Sequence, residues 1–534
     1  MSGSPEVVVA GAGHNSLITA AYLAKAGYEC VVLDARPIPG GGAATEELLL
    51  PGYKIDSCST GHTLIQVNPL LTDDELGLKS DYGLEYVDPD PVGHVAFPDG
   101  ERLTMWLDLE RTCEEIGRFS RRDADAYRRI IAEYDEVKGE FGRARFTPLG
   151  FGPSLEEMLL AHPRGRIWLR RNAIGAWDVI RREFESRHVQ AFMVWMAFQT
   201  LVPVDAPGSG VLAYSLVFGR QRRGWTIPRG GSGALTEALA RFVEDHRGTV
   251  LCDRRVSGLV LEDGRCAGVE TDDGERYLAR SGVVSTIHVK HLVEMAPPEA
   301  WGEEFLYGVE TYDIGMPGMA AYLATTEAPE FETRDGPRSA VSAGTAGWPD
   351  DVVRCGRDIR DGRPVEGVPW LLVATPTLAD PSRAPAGHHT VKLLSPQAWE
   401  VPEGRDWDSY KEEIAARQLE HLRRFAPNVT DEKIVASFVK SPADIERSNP
   451  HMIHGAFHGG DRSLPFSGPN RPVPGWADHR TPIPGLYQTG GTTHPGGSIT
   501  GAPGRNAAIV VLTDLGEDPE EVMGAAGRAR AGSR

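Results

Sequence analysis

The sequence predicts an α/β fold: a parallel-sheet domain, split along the chain, with an α+β domain inserted into it. Three observations predict this. A β-branched run, Glu6 to Ala10, breaks into Gly11-Ala-Gly13 and is followed by a helical stretch, Leu17 to Ala26, and a second apolar run, Cys30 to Asp34. A strand leading through glycine pairs into a helix stands near the far end, from Gly485 to Asn506. Between these ends the pattern turns helical from about residue 72 to 220 and β-rich from about 300 to 440.

The first unit reads as βαβ, and each part has a physical task. Gly11 lets the chain turn tightly, and Gly13 lets a pyrophosphate approach the backbone at the positive end of a helix. His14, Asn15 and Ser16 open that helix beside the same site. Asp34 lies 23 residues after Gly11. There a carboxylate accepts hydrogen bonds from both ribose hydroxyls and repels a 2′-phosphate. Ser16 stands where the fingerprint has a third glycine, and serine is small enough to fit. The plainer reading is a loop in an ordinary α/β domain, but strand, helix and acid together favour a dinucleotide.

The next residues choose between dinucleotides. Ala35-Arg36-Pro-Ile-Pro-Gly40-Gly41-Gly42-Ala43-Ala44 has three glycines and two alanines that leave its backbone N–H groups free to press on a phosphate or flavin edge. A simple NAD domain has no need of this loop, whereas flavoproteins of the glutathione-reductase type carry one. The expected cofactor is FAD, held by a Rossmann-like domain of that type.

Composition narrows the rest. The 534 residues suffice for two or more domains, and 25% charged with 41% apolar residues is ordinary for a globular protein. With 56 Lys and Arg against 75 Asp and Glu, the net charge of −19 argues against a nucleic-acid partner and gives no pull toward anionic lipid. The six cysteines are scattered without a C-x-x-C pair, which suggests a reducing compartment and neither a zinc site nor a redox dithiol. No apolar run approaches the length of a membrane span, and a first strand at residue 6 leaves no room for a leader, so a cytoplasmic location is expected.

Along the chain, Thr45 to Asp56 reads as a hairpin around Pro51-Gly52. Helices are predicted at Asp108–Phe119, Asp123–Phe141, Ser154–Leu160 and Arg187–Thr200. The last is apolar around nearly its whole circumference, from Val189 to Phe198. Burial in the core, the lining of an apolar substrate tunnel and peripheral membrane contact are all compatible with that. Trp225 to Leu235 is another glycine cluster entering a helix, and Asp263-Gly264 is the turn of a β-hairpin. Strands are expected at Met319–Ala324, Trp370–Thr375 and Thr390–Ser395, with a helix from Ser409 to Phe425. The cofactor domain is therefore drawn over 1–75, 221–300 and 440–516, the substrate or cap domain over 76–220 and 301–439, and 517–534 as a frayed tail.

Together these segments resemble the phytoene-desaturase-like flavoproteins of the wider amine-oxidase-like group, and most of all the subgroup named for the pyridine nucleotide-disulphide oxidoreductase domain-containing protein 2. The matching pieces are Gly11 to Asn15, Gly41 to Glu47, Ile227-Pro-Arg-Gly-Gly231, Asp380 to Gly387, Arg471 to Asp478 and Thr493-His-Pro-Gly-Gly497 to Ala508. The resemblance implies FAD in one discontinuous domain with a substrate domain over the flavin ring. It puts Gly11, Gly13, Asp34, Arg36, Gly42 and Ala43 on the ADP half and Val256 near the adenine. Gly490, with Gly491 beside it, and Gly497, Ser498, Ile499 and Thr500 fall near the ribityl chain and ring. Departures are Ser16, Ser285-Thr-Ile-His288 and Gln488 to Thr493. They lie near the cofactor or substrate mouth and leave a carotenoid substrate unsupported. No second G-x-G-x-x-G is present for NAD(P)H.

Two histidines are candidates for chemistry. His494, just before the last helix, could orient substrate or move a proton, and His62 is the second candidate. His451, His454 and His458 would share a face only on a helix. Pro450, Gly455, Gly459 and Gly460 favour a loop instead, so no metal is expected, and the loop either covers the flavin or is structural. The favoured activity is an FAD-dependent dehydrogenase or desaturase that moves hydride from an apolar or aromatic small molecule to flavin N5 and passes electrons to oxygen or a quinone. A redox-neutral isomerase using reduced FAD and a flavin-fold binding protein are the alternatives.

Overall fold

In a computed structural model, which describes residues 4–333, 336 and 338–524, the fold is the expected mixed α/β. Five strands form one wholly parallel sheet, in the order Leu486–Gln488, Gly282–Ser285, Val7–Ala10, Cys30–Leu33 and Thr249–Leu251. The first strand is central because its four residues are buried on both faces: Val7 and Val9 enter one core cluster, Val8 and Ala10 the opposite one. That two-sided burial is why the run reads as continuous Val rather than as an alternation. Val256–Glu262 pairs antiparallel with Arg265–Thr271 across Asp263 and Gly264, both at positive φ as that two-residue turn requires.

A second sheet has seven strands, ordered Ile434–Lys440, Gly318–Thr325, His389–Pro396, Trp370–Ala374, Ser342–Ala346, Gly93–Ala96 and Arg102–Met105. All neighbours are antiparallel except Ser342–Ala346 with Gly93–Ala96. Leu371, Val373, Val391 and Leu393 face the helix Trp407–Arg423, while Leu372 and Ala374 face a larger core built on Arg121–Phe146, Arg187–Phe198 and Leu212–Arg223.

Two expectations change here. The segment expected to fray from Glu517 forms a helix, Pro519–Met523, whose Met523 packs into the core beside the first helix; residues 525–534 lie outside the described part. The Val189–Phe198 helix packs flat in the core. Trp195 Nε1 donates to Leu371 O at 3.0 Å and Trp370 Nε1 donates back to Trp195 O at 3.1 Å. None of residues 189–198 lines the cavity; of the expected Arg187–Thr200 helix only Gln199 and Thr200, at its end, do. Among the described residues no helix is long and apolar enough to cross a membrane.

Candidate active site

One cavity of about 650 Å³ runs between the two sheets. The glycine turn and the helix that follows, His14–Lys25, bound one part of it. At Gly11, φ is +102° and a Cβ would lie 2.3 Å from Thr286 Cγ2. At Gly41, φ is +56° and a Cβ would lie 3.2 Å from Gly13 Cα. The glycine loop is pinned to the turn by Gly40 N donating to Ala12 O at 2.8 Å. Two backbones therefore run together with no side chains between them, a floor that an extended dinucleotide can approach closely.

Around that floor stand His14, Asn15, Asp34, Ala35, Arg36, Gly42 and Val256, with Gly490, Gly491, Gly497, Ser498 and Ile499 from the chain's return. Asp34 Oδ2 accepts from Ala12 N at 2.6 Å and Oδ1 from Arg36 N at 2.8 Å. Burial pushes its carboxyl upward while those two N–H groups oppose the rise. The Arg36 guanidinium donates to Gly41 O at 3.1 Å and pairs with Glu46. His14 is buried, which holds its imidazole down at about 4, and its Nε2 has no protein partner. A glycine floor, a carboxylate at the second strand's end and an orphaned imidazole nitrogen beside them fit FAD.

Four residues expected beside the cofactor do not line the cavity. Ser16 is fully buried, its Oγ donating to Gly13 O at 3.0 Å. Ala43 is in the core, its N–H spent on Gly40 O, and Ala44 O accepts from Ser57 N. Thr500 Oγ1 accepts from Ala502 N, and its carbonyl accepts from Asn68 Nδ2 at 2.9 Å. These residues shape the backbone that does line it.

The two histidines expected to carry chemistry are corrected as well. His494 Nε2 donates to Ala144 O at 3.1 Å, away from the cavity lining, and burial holds the ring at about 4. His62 is wholly buried, sharing a 2.6 Å hydrogen bond with Ser232 Oγ, and burial holds it at about 3. Neither residue lines the cavity, and His494 Nδ1 has no hydrogen-bond partner. The three histidines of the 451–458 loop do not converge: His454 stacks on Trp399, while His451 and His458 line the cavity. His451 Nδ1 donates to Thr286 O at 2.9 Å, and burial keeps both rings neutral, at about 4 and about 3.

The remaining wall comes from the seven-stranded sheet and the helices beneath it. Leu201, Leu216, Trp225, Leu372, Leu394 and Phe457 make it apolar. Lys392 enters among them, its ammonium donating to the carbonyl of Cys58, and burial lowers its pKa. Arg220 is the other cation on this wall. Sequence reasoning passed over both. Lys392 sits in an apolar strand with no motif around it. Arg220, by contrast, follows Ala213, Leu216 and Val217 at helical spacing, an inward stripe readable from the sequence.

The profile of the flavin containing amine oxidoreductase family matches residues 17–512. Among curated proteins, the mouse (Mus musculus) pyridine nucleotide-disulfide oxidoreductase domain-containing protein 2 is 27% identical, over 96% of this chain and 94% of the relative. A limonene dehydrogenase chain of Castellaniella defragrans is also 27% identical, over 97% of each. Among solved structures, putrescine oxidase bound to putrescine superposes with a TM-score of 0.59 at 15% identity, covering 96% of this chain and 98% of that one, a likeness of fold.

Proposed function

The chain belongs to the flavin containing amine oxidoreductase family, and from that premise we propose that this FAD-dependent oxidoreductase removes hydride from a largely apolar small molecule in the cavity between its two sheets. The observation that carries the reading is one continuous cavity with a glycine floor and Asp34 on one part and an apolar wall on the other. The relative named as a limonene dehydrogenase supports an apolar substrate as well.

When bound, FAD supplies a two-electron acceptor at N5. The chain's own residues do the rest. Gly11, Gly13, Gly41 and Gly42 would admit the cofactor's backbone contacts, and Asp34 would hold the ribose hydroxyls. His14, whose Nε2 is unpartnered, would be available to a polar cofactor atom. Gly490, Gly491 and Gly497 to Ile499 would border the ribityl chain and ring. The apolar wall desolvates the substrate, gaining about 25 cal/mol per Å² of apolar surface covered. Lys392, once its ammonium has given up a proton to solvent, takes the accompanying proton as the neutral amine in this reading. Its support is a burial-lowered pKa and a fixed position on the cavity wall. The division into a cofactor domain (1–75, 221–300, 440–516) and a cap (76–220, 301–439) belongs to the same proposal, as does a reducing, cytosolic setting, supported by six free cysteines.

Anaerobic screening of the purified flavoprotein against a metabolite library tests this. The expected result is bleaching of the flavin by hydrophobic compounds, with electrons passed on to oxygen or a quinone, and none by NADH or NADPH. Products of unchanged mass would point to isomerisation instead. Bleaching by a pyridine nucleotide alone would overturn the substrate reading.

A further inference from the structure

Arg220 lies on the buried face of the helix Leu212–Arg223, in line with Ala213, Leu216 and Val217. It is 6% exposed and lines the cavity. Its Nε and Nη1 have no hydrogen-bond partner, and among the described residues no carboxylate pairs with it. The other two deeply buried arginines are treated differently. Arg383 meets two carboxylates, and Arg471 is wrapped by backbone carbonyls. Among the described residues, what compensates Arg220 is the Trp225 ring, whose centroid is 5.7 Å from the guanidinium carbon.

A guanidinium taken out of water without a counter-ion is strongly unfavourable. Burial lowers this one to about 9, so it still carries its charge at neutral pH. The cavity it lines is the route by which a counter-ion can reach it. The carboxylates lining that cavity are Asp34, held by Ala12 and Arg36 backbone N–H groups, and Glu294, beside His291; neither bonds Arg220. Lys392, the other cation of the wall, is already engaged by the Cys58 carbonyl.

We propose that Arg220 anchors an oxyanion on the substrate, so that the ligand is an apolar body ending in a carboxylate or phosphate rather than a plain hydrocarbon or an amine. The planar fork suits two-oxygen recognition, and the water-poor wall makes a single pair count for more than it would at the surface. Trp225 lies beside the guanidinium and Leu216 lines the same cavity, so both would cover the adjoining carbon chain. This rests on the cavity being the substrate site, and it narrows the substrate class.

The holoprotein is titrated with octanoate, octyl phosphate and octanamide, followed by flavin difference spectra and by equilibrium dialysis. Octanoate is expected to bind about tenfold or more tighter than octanamide. Arg220→Gln removes that preference while FAD stays bound, and Arg220→Lys keeps part of it. Tighter binding of octyl phosphate than of octanoate assigns the anion to a phosphate head. Equal binding of octanoate and octanamide, no binding of either anion, or a preference that survives Arg220→Gln overturns the proposal. If Arg220→Gln fails to hold FAD, the wild-type and Arg220→Lys titrations decide. Dialysis reads binding alone. An anion-selective cavity in a protein that bleaches with no substrate would defeat the proposed oxidation and leave this anchor standing.

Discussion

Arg383 and Asp56, 327 residues apart, meet at 2.6 Å with both side chains withdrawn from water. The same guanidinium reaches Asp380 at 3.1 Å and Pro228 O at 2.6 Å, while Asp56 Oδ1 accepts from Ser232 N and Thr45 Oγ1. Asp380 in turn accepts from Gly230 N at 2.6 Å. One cluster thus ties the 45–56 hairpin, the 228–232 glycine segment and the 380–383 turn, next to Cys58 to Gly61, which line the cavity.

Breaking that cluster is costly because two carboxylates lose their shared cation in a dry site. Arg383→Met is expected to destabilise the protein by about 3–5 kcal/mol. Thermal denaturation would show the loss, and flavin absorbance per protein would fall with it. Adding Asp56→Asn to Arg383→Met should recover part of the stability. A single variant as stable as wild type would show that the cluster contributes nothing.

Asp34 does two jobs, holding the turn through Ala12 and Arg36 and facing the cavity. Asp34→Asn keeps one oxygen for the backbone but loses the charged acceptor, and Asp34→Ala loses both. FAD affinity should fall by roughly 1–3 kcal/mol in Asp34→Ala, and by less in Asp34→Asn. Titration of apo-protein with FAD measures both, and unchanged affinity would remove the ribose contact.

Lys392 and His494 separate by rate. Lys392→Met should retain FAD yet slow anaerobic flavin reduction by about 10²-fold or more, whereas His494→Gln should reduce at the wild-type rate. In the wild type the rate rises with pH as the ammonium, lowered by burial from 10.5, gives up its proton. That rise should vanish in Lys392→Met. Stopped-flow traces across pH decide it once a reducing substrate is found.

Several histidines are buried neutral away from the cavity: His62 and His94 at about 3, and His479 and His494 at about 4, against 6.5 ordinarily. Because the folded value is depressed, the unfolded chain binds protons first as pH falls. Stability is full above 6.5 and is lost from there down to about 4 for His479 and His494 and about 3 for His62 and His94, at roughly 1.4 kcal/mol per pH unit for each ring. Thermal midpoints at pH 7.5, 6 and 5 should therefore decline steeply, and a flat profile would show these rings protonated in place.

The sequence by itself determined the βαβ unit, the glycine loop and Asp34, because those features are backbone conformations written within some 40 neighbouring residues, and the family, because its short glycine- and proline-rich pieces recur along nearly the whole chain. Gly11 and Gly41 are legible since only glycine tolerates their geometry. Even the missing third glycine has a local explanation, Ser16 closing onto Gly13 O, while the close approach to the helix Ala502–Asp514 falls to Gly504, where a Cβ would lie 2.3 Å from Asn15 O. That second contact joins opposite ends of the chain, and nothing near Asn15 announces it. Only the tertiary structure decided which polar groups face the cavity. His494 stands beside a glycine motif yet turns to Ala144, and the apolar Val189–Phe198 helix went to the core. Arg220 shares its helix end with the exposed Arg222 and Arg223, and its spacing from Ala213, Leu216 and Val217 sets it on the inward face. Its isolation follows from what the rest of the fold fails to bring near it: spacing along the chain fixes a side chain's face, but its partners are set by segments far away in sequence.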